Sequence, residues 1–145
     1  MSSSGWTTSQ MLAAYAITFV VFAAVDALWL GWIAKDLYRR EMGELMASSP
    51  RLIPAVLFYV AYPIAIVYFG VSNQALQGIS SLVITLIHCA ALGLFAYGTY
   101  DLTNMSVVRN FSVKLGLIDI AWGTFASGVS GLAAFAALRW WGSRG

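Results

Sequence analysis

Charge is what this sequence has least of: 8 Lys and Arg and 6 Asp and Glu among 145 residues, 10% in all. Soluble domains carry about a quarter, and 60% hydrophobic residues with a mean hydropathy of +0.77 place the chain in a bilayer rather than in water. Cysteine is nearly absent as well. Cys89 stands alone, which excludes an internal disulfide and any cysteine-based zinc cage. The single histidine, His88, reads as a hydrogen-bonded packing residue rather than a ligand. The glycines match no phosphate loop, there is no Cys/His metal set, and no nucleophile has a matched base, so neither a cofactor nor a metal is expected. A net charge of +2, dispersed along the chain, argues against a nucleic-acid partner.

What the chain does contain is four apolar blocks, about 11–33, 53–71, 79–102 and 113–138. Each is near the ~20 residues that cross ~30 Å of hydrocarbon, and each is too long, and too lacking in two-residue alternation, for a barrel strand. The expected fold class is all-α: a four-helix transmembrane bundle with antiparallel neighbours, forming one integral-membrane domain over residues 1–145. Lys35, Arg39, Arg40, Arg51, Arg109 and Lys114 fall in the first and third connections, against Arg139 and Arg144 near the C-terminus. By the positive-inside rule those connections are cytoplasmic and both termini lie outside. The first block lacks a preceding basic region and a small-residue cleavage site, so it reads as a retained helix.

Along the chain, Trp6 in the polar lead-in and Trp140-Trp141 at the end read as interfacial anchors. Residues 35–46 read as a helical extension at the membrane surface, with Tyr38, Met42, Leu45 and Met46 on one face, Asp36 with Arg40 and Arg40 with Glu44 as ion pairs, and Ser48-Ser49-Pro50 as its end. That segment is taken chiefly as a solvated loop that sets topology. Pro63 should bend the second span, because it lacks a backbone donor. The turn Ser72-Asn73-Gln74 carries no Lys or Arg, as an external loop should. Small residues at four-residue spacing, Ala23, Ala27 and Gly31 in the first span and Gly123, Ser127 and Gly131 in the fourth, predict that these two helices pack through those stripes.

Polar residues inside the spans converge on a site. The stretch Tyr97-Gly98-Thr99-Tyr100-Asp101-Leu102-Thr103-Asn104 closes the third block, and on a helix Tyr97, Tyr100, Asp101 and Asn104 share one face. Cys89, Gly93, Tyr97 and Asp101, each four apart, form a second stripe. Asp26-x-x-Trp29 and Asp119-x-x-Trp122 repeat one short pattern, each with a glycine just after the tryptophan, Gly31 two residues on and Gly123 next to it. Counting inward from Lys35 and Lys114 at ~1.5 Å per residue, Asp26 lies ~13 Å and Asp119 ~8 Å from the same edge, so the two can face each other, with Tyr59 and Tyr62 at similar depth. The candidate pocket is therefore Asp26, Trp29, Tyr59, Tyr62, Tyr97, Tyr100, Asp101, Asn104, Asp119 and Trp122. A carboxylate in hydrocarbon costs ~2.5 kcal/mol or more, so it is neutralised, paired or hydrated. Such a site can shuttle protons, bind a cation or hold a polar headgroup. Equally, tyrosine and tryptophan donors on the aspartates would make a hydrogen-bonded clamp without chemistry.

Asp26-x-x-Trp29-Leu30-Gly31, Phe58-Tyr59-x-x-Tyr62, the octapeptide from Tyr97 to Asn104, and Asp119-x-x-Trp122-Gly123 together resemble an uncharacterised family of small bacterial inner-membrane proteins, a domain of unknown function. The resemblance implies four spans in a bacterial inner (cytoplasmic) membrane and carries no catalytic residues with it. The expected role is transport or handling of a proton-coupled small solute or lipid, the bilayer and that ligand being the partners, with a homodimer completing any transport path. The other readings are an enzyme or accessory subunit of lipid modification, using the same cluster, and a purely structural membrane partner.

Overall fold

The computed structural model describes residues 6–72 and 81–144, and these are helical with no strand among them. Helix α1 (Thr8–Leu28) runs into a π-helical turn, Trp29–Ile33. Helix α2 (Lys35–Met42) is short and is followed by a 3₁₀ turn, Gly43–Leu45. Helix α3 (Leu52–Ala65) continues as a π-helical stretch, Ile66–Ser72, and two long helices follow, α4 (Leu82–Val107) and α5 (Val113–Gly142). Thr8–Ile33, Leu52–Ser72, Leu82–Val107 and Val113–Gly142 are each long and apolar enough to cross a bilayer. This is an all-α membrane protein with four candidate spans. The turn expected at Asn73-Gln74 and the start of the third block near Ile79 lie outside the described residues.

Local chemistry sets the helix starts. Thr7 and Gln10 close a reciprocal capping box at α1, while the Ser81 and Ser112 hydroxyls accept from Ile84 N–H and Leu115 N–H at the starts of α4 and α5. Gly43, at φ +52°, ends α2 in a conformation that disfavours any side chain, so the surface helix stops before the Ser-Ser-Pro signal expected to end it. The expected Asp36–Arg40–Glu44 pairing is likewise replaced. Glu41 reaches across to α5, 3.6 Å from Lys114 Nζ and accepting from the Ser112 hydroxyl at 2.6 Å.

Helices α4 and α5 are the most intimately packed pair. A Cβ on Gly93 would meet the Gly123 carbonyl and the Ser127 side chain, and one on Gly123 would meet the Tyr97 ring. Only glycine allows that approach. The stripe Gly123, Ser127, Gly131 thus serves α4 and the second span, where Gly131 meets Cys89 and Ile66. This corrects one expectation. Helix α1 does pack on α5, but through Ala14, Thr18, Phe22 and Asp26, whereas Ala27 and Gly31 face outward with open space beside Gly31. The reason is rotational. Asp26 must find donors inside the bundle, and at 3.6 residues per turn that turns Ala27 about 100° away. Trp6 packs its ring 6.4 Å from that of Phe135.

Pro63 divides the second span. Below it, α3 rests chiefly on α1; above it, Ile66–Ser72 packs on α1, α4 and α5 together. Proline cannot donate to the Tyr59 carbonyl, so the helix is free to change direction there and to widen into the π-helical stretch. The lower half of α3 leans away from α4 and leaves a wedge.

Candidate functional site

The wedge is a cavity of about 450 Å³, walled by Leu30, Ala55, Phe58 and Ala96 and floored by polar groups from every span. Asp26 comes from α1, Asp119 from α5, Tyr59 and Tyr62 from α3, Tyr97 and Tyr100 from α4, and Tyr38 from α2. Asp26 is held twice. Tyr59 Oη–H donates to its Oδ2, and Trp122 Nε1–H donates to its Oδ1 at 3.0 Å. Trp122 is itself fixed by Trp29, stacked on it at 4.3 Å with the rings 6° from parallel. The repeated Asp-x-x-Trp pattern therefore works across helices: the tryptophan of the second copy serves the aspartate of the first.

The converse contact runs through a residue from outside the spans. Asp119 accepts from the Tyr38 hydroxyl, which burial and this hydrogen bond push well above the usual tyrosine range, so Tyr38 stays a proton donor. The buried Trp29 Nε1–H approaches that hydroxyl without completing a bond of normal geometry. Asp101 lies behind Asp119, 1% exposed, within hydrogen-bonding reach of its carboxyl, while Asp101 Oδ2 has no donor among the described residues. A hydrogen bond between two carboxyls needs one proton between them. Higher up, Tyr62 shares a hydrogen bond of 2.7 Å with Ser127, and its ring meets Tyr97 edge-on at 6.1 Å.

Six of the ten expected pocket residues line the cavity: Asp26, Tyr59, Tyr62, Tyr97, Tyr100 and Asp119. Asp101 backs it. Trp29 and Trp122 stand behind Asp26, facing a separate shallow groove with Phe125. Asn104 does not join, because its side-chain amide bonds back to the Tyr100 carbonyl at 2.9 Å and spends its donor on its own helix. His88 behaves similarly, with Nδ1 2.9 Å from the Ile84 carbonyl. Sequence reasoning missed Tyr38, Phe58 and Ser127 as parts of the site. Tyr38 was legible as the aromatic member of the apolar face of α2, but nothing in the spacing says that this face folds under the bundle.

A model of the family described as predicted membrane protein (DUF2177) matches residues 11–136. The chain belongs to that family. The family is one of unknown function, and no curated protein and no solved structure matches the chain. Family membership thus supports a membrane protein and leaves the site to be interpreted from its own chemistry.

Proposed function

We propose that this DUF2177 protein takes a small solute or lipid into the α3–α4 cavity and handles it with exchange of protons at the Asp26, Asp101 and Asp119 cluster. The observation that carries this reading is the cavity itself. A clamp that only held helices together would bury its donors and acceptors against one another, whereas here Asp26 and Asp119 border about 450 Å³ of space. Carboxyls accepting from tyrosine hydroxyls can take up or release a proton with little rearrangement of their donors. With the first and third connections in the cytoplasm, as the Lys and Arg distribution favours, the cavity belongs to the cytoplasmic half of the membrane and both termini to the outside. A reporter fused after Gly145 tests that orientation, and cytoplasmic activity of the reporter would reverse it.

The function is tested by comparing lipids and metabolites in cells with and without the gene, then restoring the gene as wild type, Asp26→Asn or Asp119→Asn. The reading expects a changed pool that wild type restores and the two inserted, folded variants do not. A pool restored equally by both variants would leave only the clamp. A change confined to one modified lipid class would favour an accessory role in lipid modification.

A further inference from the structure

We infer that the ligand of this cavity is an amphipathic cation, an amine or ammonium head on an apolar body, entering from the bilayer through the wedge between α3 and α4. The inference rests on the reading of the cavity as a ligand site and adds the charge and shape of what fills it. Charge is the first argument. Asp26 and Asp119 border the cavity, Asp101 stands behind Asp119, and among the described residues no lysine, arginine or histidine lines it. The donors that reach Asp26 and Asp119 are neutral hydroxyl and indole groups, which orient carboxylates without cancelling their charge. Asp101 Oδ2, almost fully buried, has no donor among the described residues. Such an acceptor calls for a positive partner nearby or a proton.

Aromatic lining is the second argument. Phe58, Tyr59, Tyr62, Tyr97 and Tyr100 line the same space as the carboxyls. Ring faces attract cations, and organic ammonium groups are the ligands that aromatic cages recognise. A bare metal ion is a poorer fit, since among the described residues no three His, Cys, Asp or Glu side chains are grouped to hold one. An anion would face the carboxyls with no basic side chain to meet it.

The route is the third argument. Phe58 and Tyr100 line the cavity yet are 40% and 58% exposed, and Leu52, Ile53 and Val56 on the same half of α3 face outward. In a membrane that exposure is to acyl chains, so the mouth admits a molecule whose apolar part stays in lipid while its head reaches the carboxyls.

Binding of tetraphenylphosphonium to the purified protein in uncharged maltoside micelles tests this against tetraphenylborate, which has the same shape and opposite charge. The phosphonium is expected to bind and the borate not to. Asp119→Asn should weaken phosphonium binding about tenfold and Tyr97→Ala about fivefold, Tyr97→Phe should leave it within a factor of two, and Ala96→Phe, which fills the wedge without touching a carboxyl, should abolish it. Added phosphatidylethanolamine that displaces the phosphonium, where phosphatidylglycerol does not, identifies an amine lipid as the occupant. Equal indifference to both lipids identifies a free lipophilic amine. Binding of the borate that Ala96→Phe abolishes would overturn the charge assignment and leave the cavity a ligand site. Phosphonium binding unchanged in both Asp119→Asn and Ala96→Phe would overturn the inference outright. Were neither ion to bind while the cellular pools still depended on Asp26 and Asp119, this inference would fall and the proposed function would stand.

Discussion

The two halves of the second span share one helix and are built on opposite terms. Above Pro63, Ile66, Val67, Gly70 and Val71 are buried against α1, α4 and α5, with Cys89 filling the space beside Gly70 and Gly131. Below it, Leu52, Ile53, Val56 and Leu57 face outward, while Ala55 lines the cavity and Phe58, Tyr59 and Tyr62 turn inward, toward carboxyls and rings. In a bilayer an exposed leucine costs nothing, so helices approach only where small residues permit dispersion contact or where polar groups demand partners. The upper half is held by the first of these and the lower half by the second. Close packing leaves no room for a ligand; polar tethering across a gap does.

The largest test of this contrast is a substitution that the two halves should answer differently. Gly131→Leu drives a side chain into Cys89 and Ile66 and should cost about 3 kcal/mol or more, read as a lower unfolding midpoint in detergent. Ala55→Leu, at the wedge, should be tolerated. Equal effects would erase the distinction between the halves.

Next in size is the loss of the Asp26 acceptor. Asp26→Ala strands the Tyr59 hydroxyl and the Trp122 indole N–H and should destabilise the bundle by about 2 kcal/mol. Asp26→Asn, which keeps an acceptor oxygen, should cost less than half as much. Thermal unfolding of the two variants side by side sharpens how far the lower half depends on polar tethers.

Pro63→Ala is expected to change geometry more than stability. With a donor restored to the Tyr59 carbonyl, the lower half of α3 should swing toward α4. Spin labels at Leu57 and Leu94, on a background with Cys89→Ala, should report a shorter distance in the variant. An unchanged distance would mean that tethers to α1, rather than proline, hold the wedge open.

The smallest effect concerns α2, which lies across the lower half. The Ser112 hydroxyl, with Lys114 beside it, holds the Glu41 carboxyl below the ordinary glutamate range. A carboxyl lowered in the folded state stabilises above its unfolded value and loses that contribution as pH falls through the folded one. The contact of α2 with α5 should therefore be intact at neutral pH and weaken in acid. Hydrogen exchange of the α2 amides, corrected for intrinsic rates, should show protection lost on acidification in the wild type. Glu41→Gln should show a smaller loss, since it lacks the titrating group.

Much of this was legible along the chain. Long apolar blocks can only be spanning helices, because lipid offers no partner for an unpaired backbone, and carboxylates placed within those blocks must be turned inward. Asp26, Asp101, Asp119 and their tyrosines followed from that demand, as did the alignment of Cys89, Gly93, Tyr97 and Asp101 on one stripe, which the structure turns toward α5. The rotation of α1 was not legible: Ala23, Ala27 and Gly31 suggest one interface and Asp26 imposes another, and a spacing rule cannot weigh a carboxylate against a methyl group. Nor was Asn104, whose amide can satisfy itself on its own helix.

What the sequence determined by itself is the set of groups that water and lipid each reject, and hence the class, the spans and the residues that must be buried. What only the tertiary structure decided is which donor meets which acceptor. Trp122 serves Asp26 rather than a neighbour on its own helix, and Tyr38 reaches Asp119 from a segment that composition assigns to the surface. Those pairings depend on helix rotation, which is set by contacts between helices far apart in the chain, so no local pattern encodes them. Pro63 is the local part, a break in the second span that the sequence shows, and the cavity exists only where that break and the rotations together leave it.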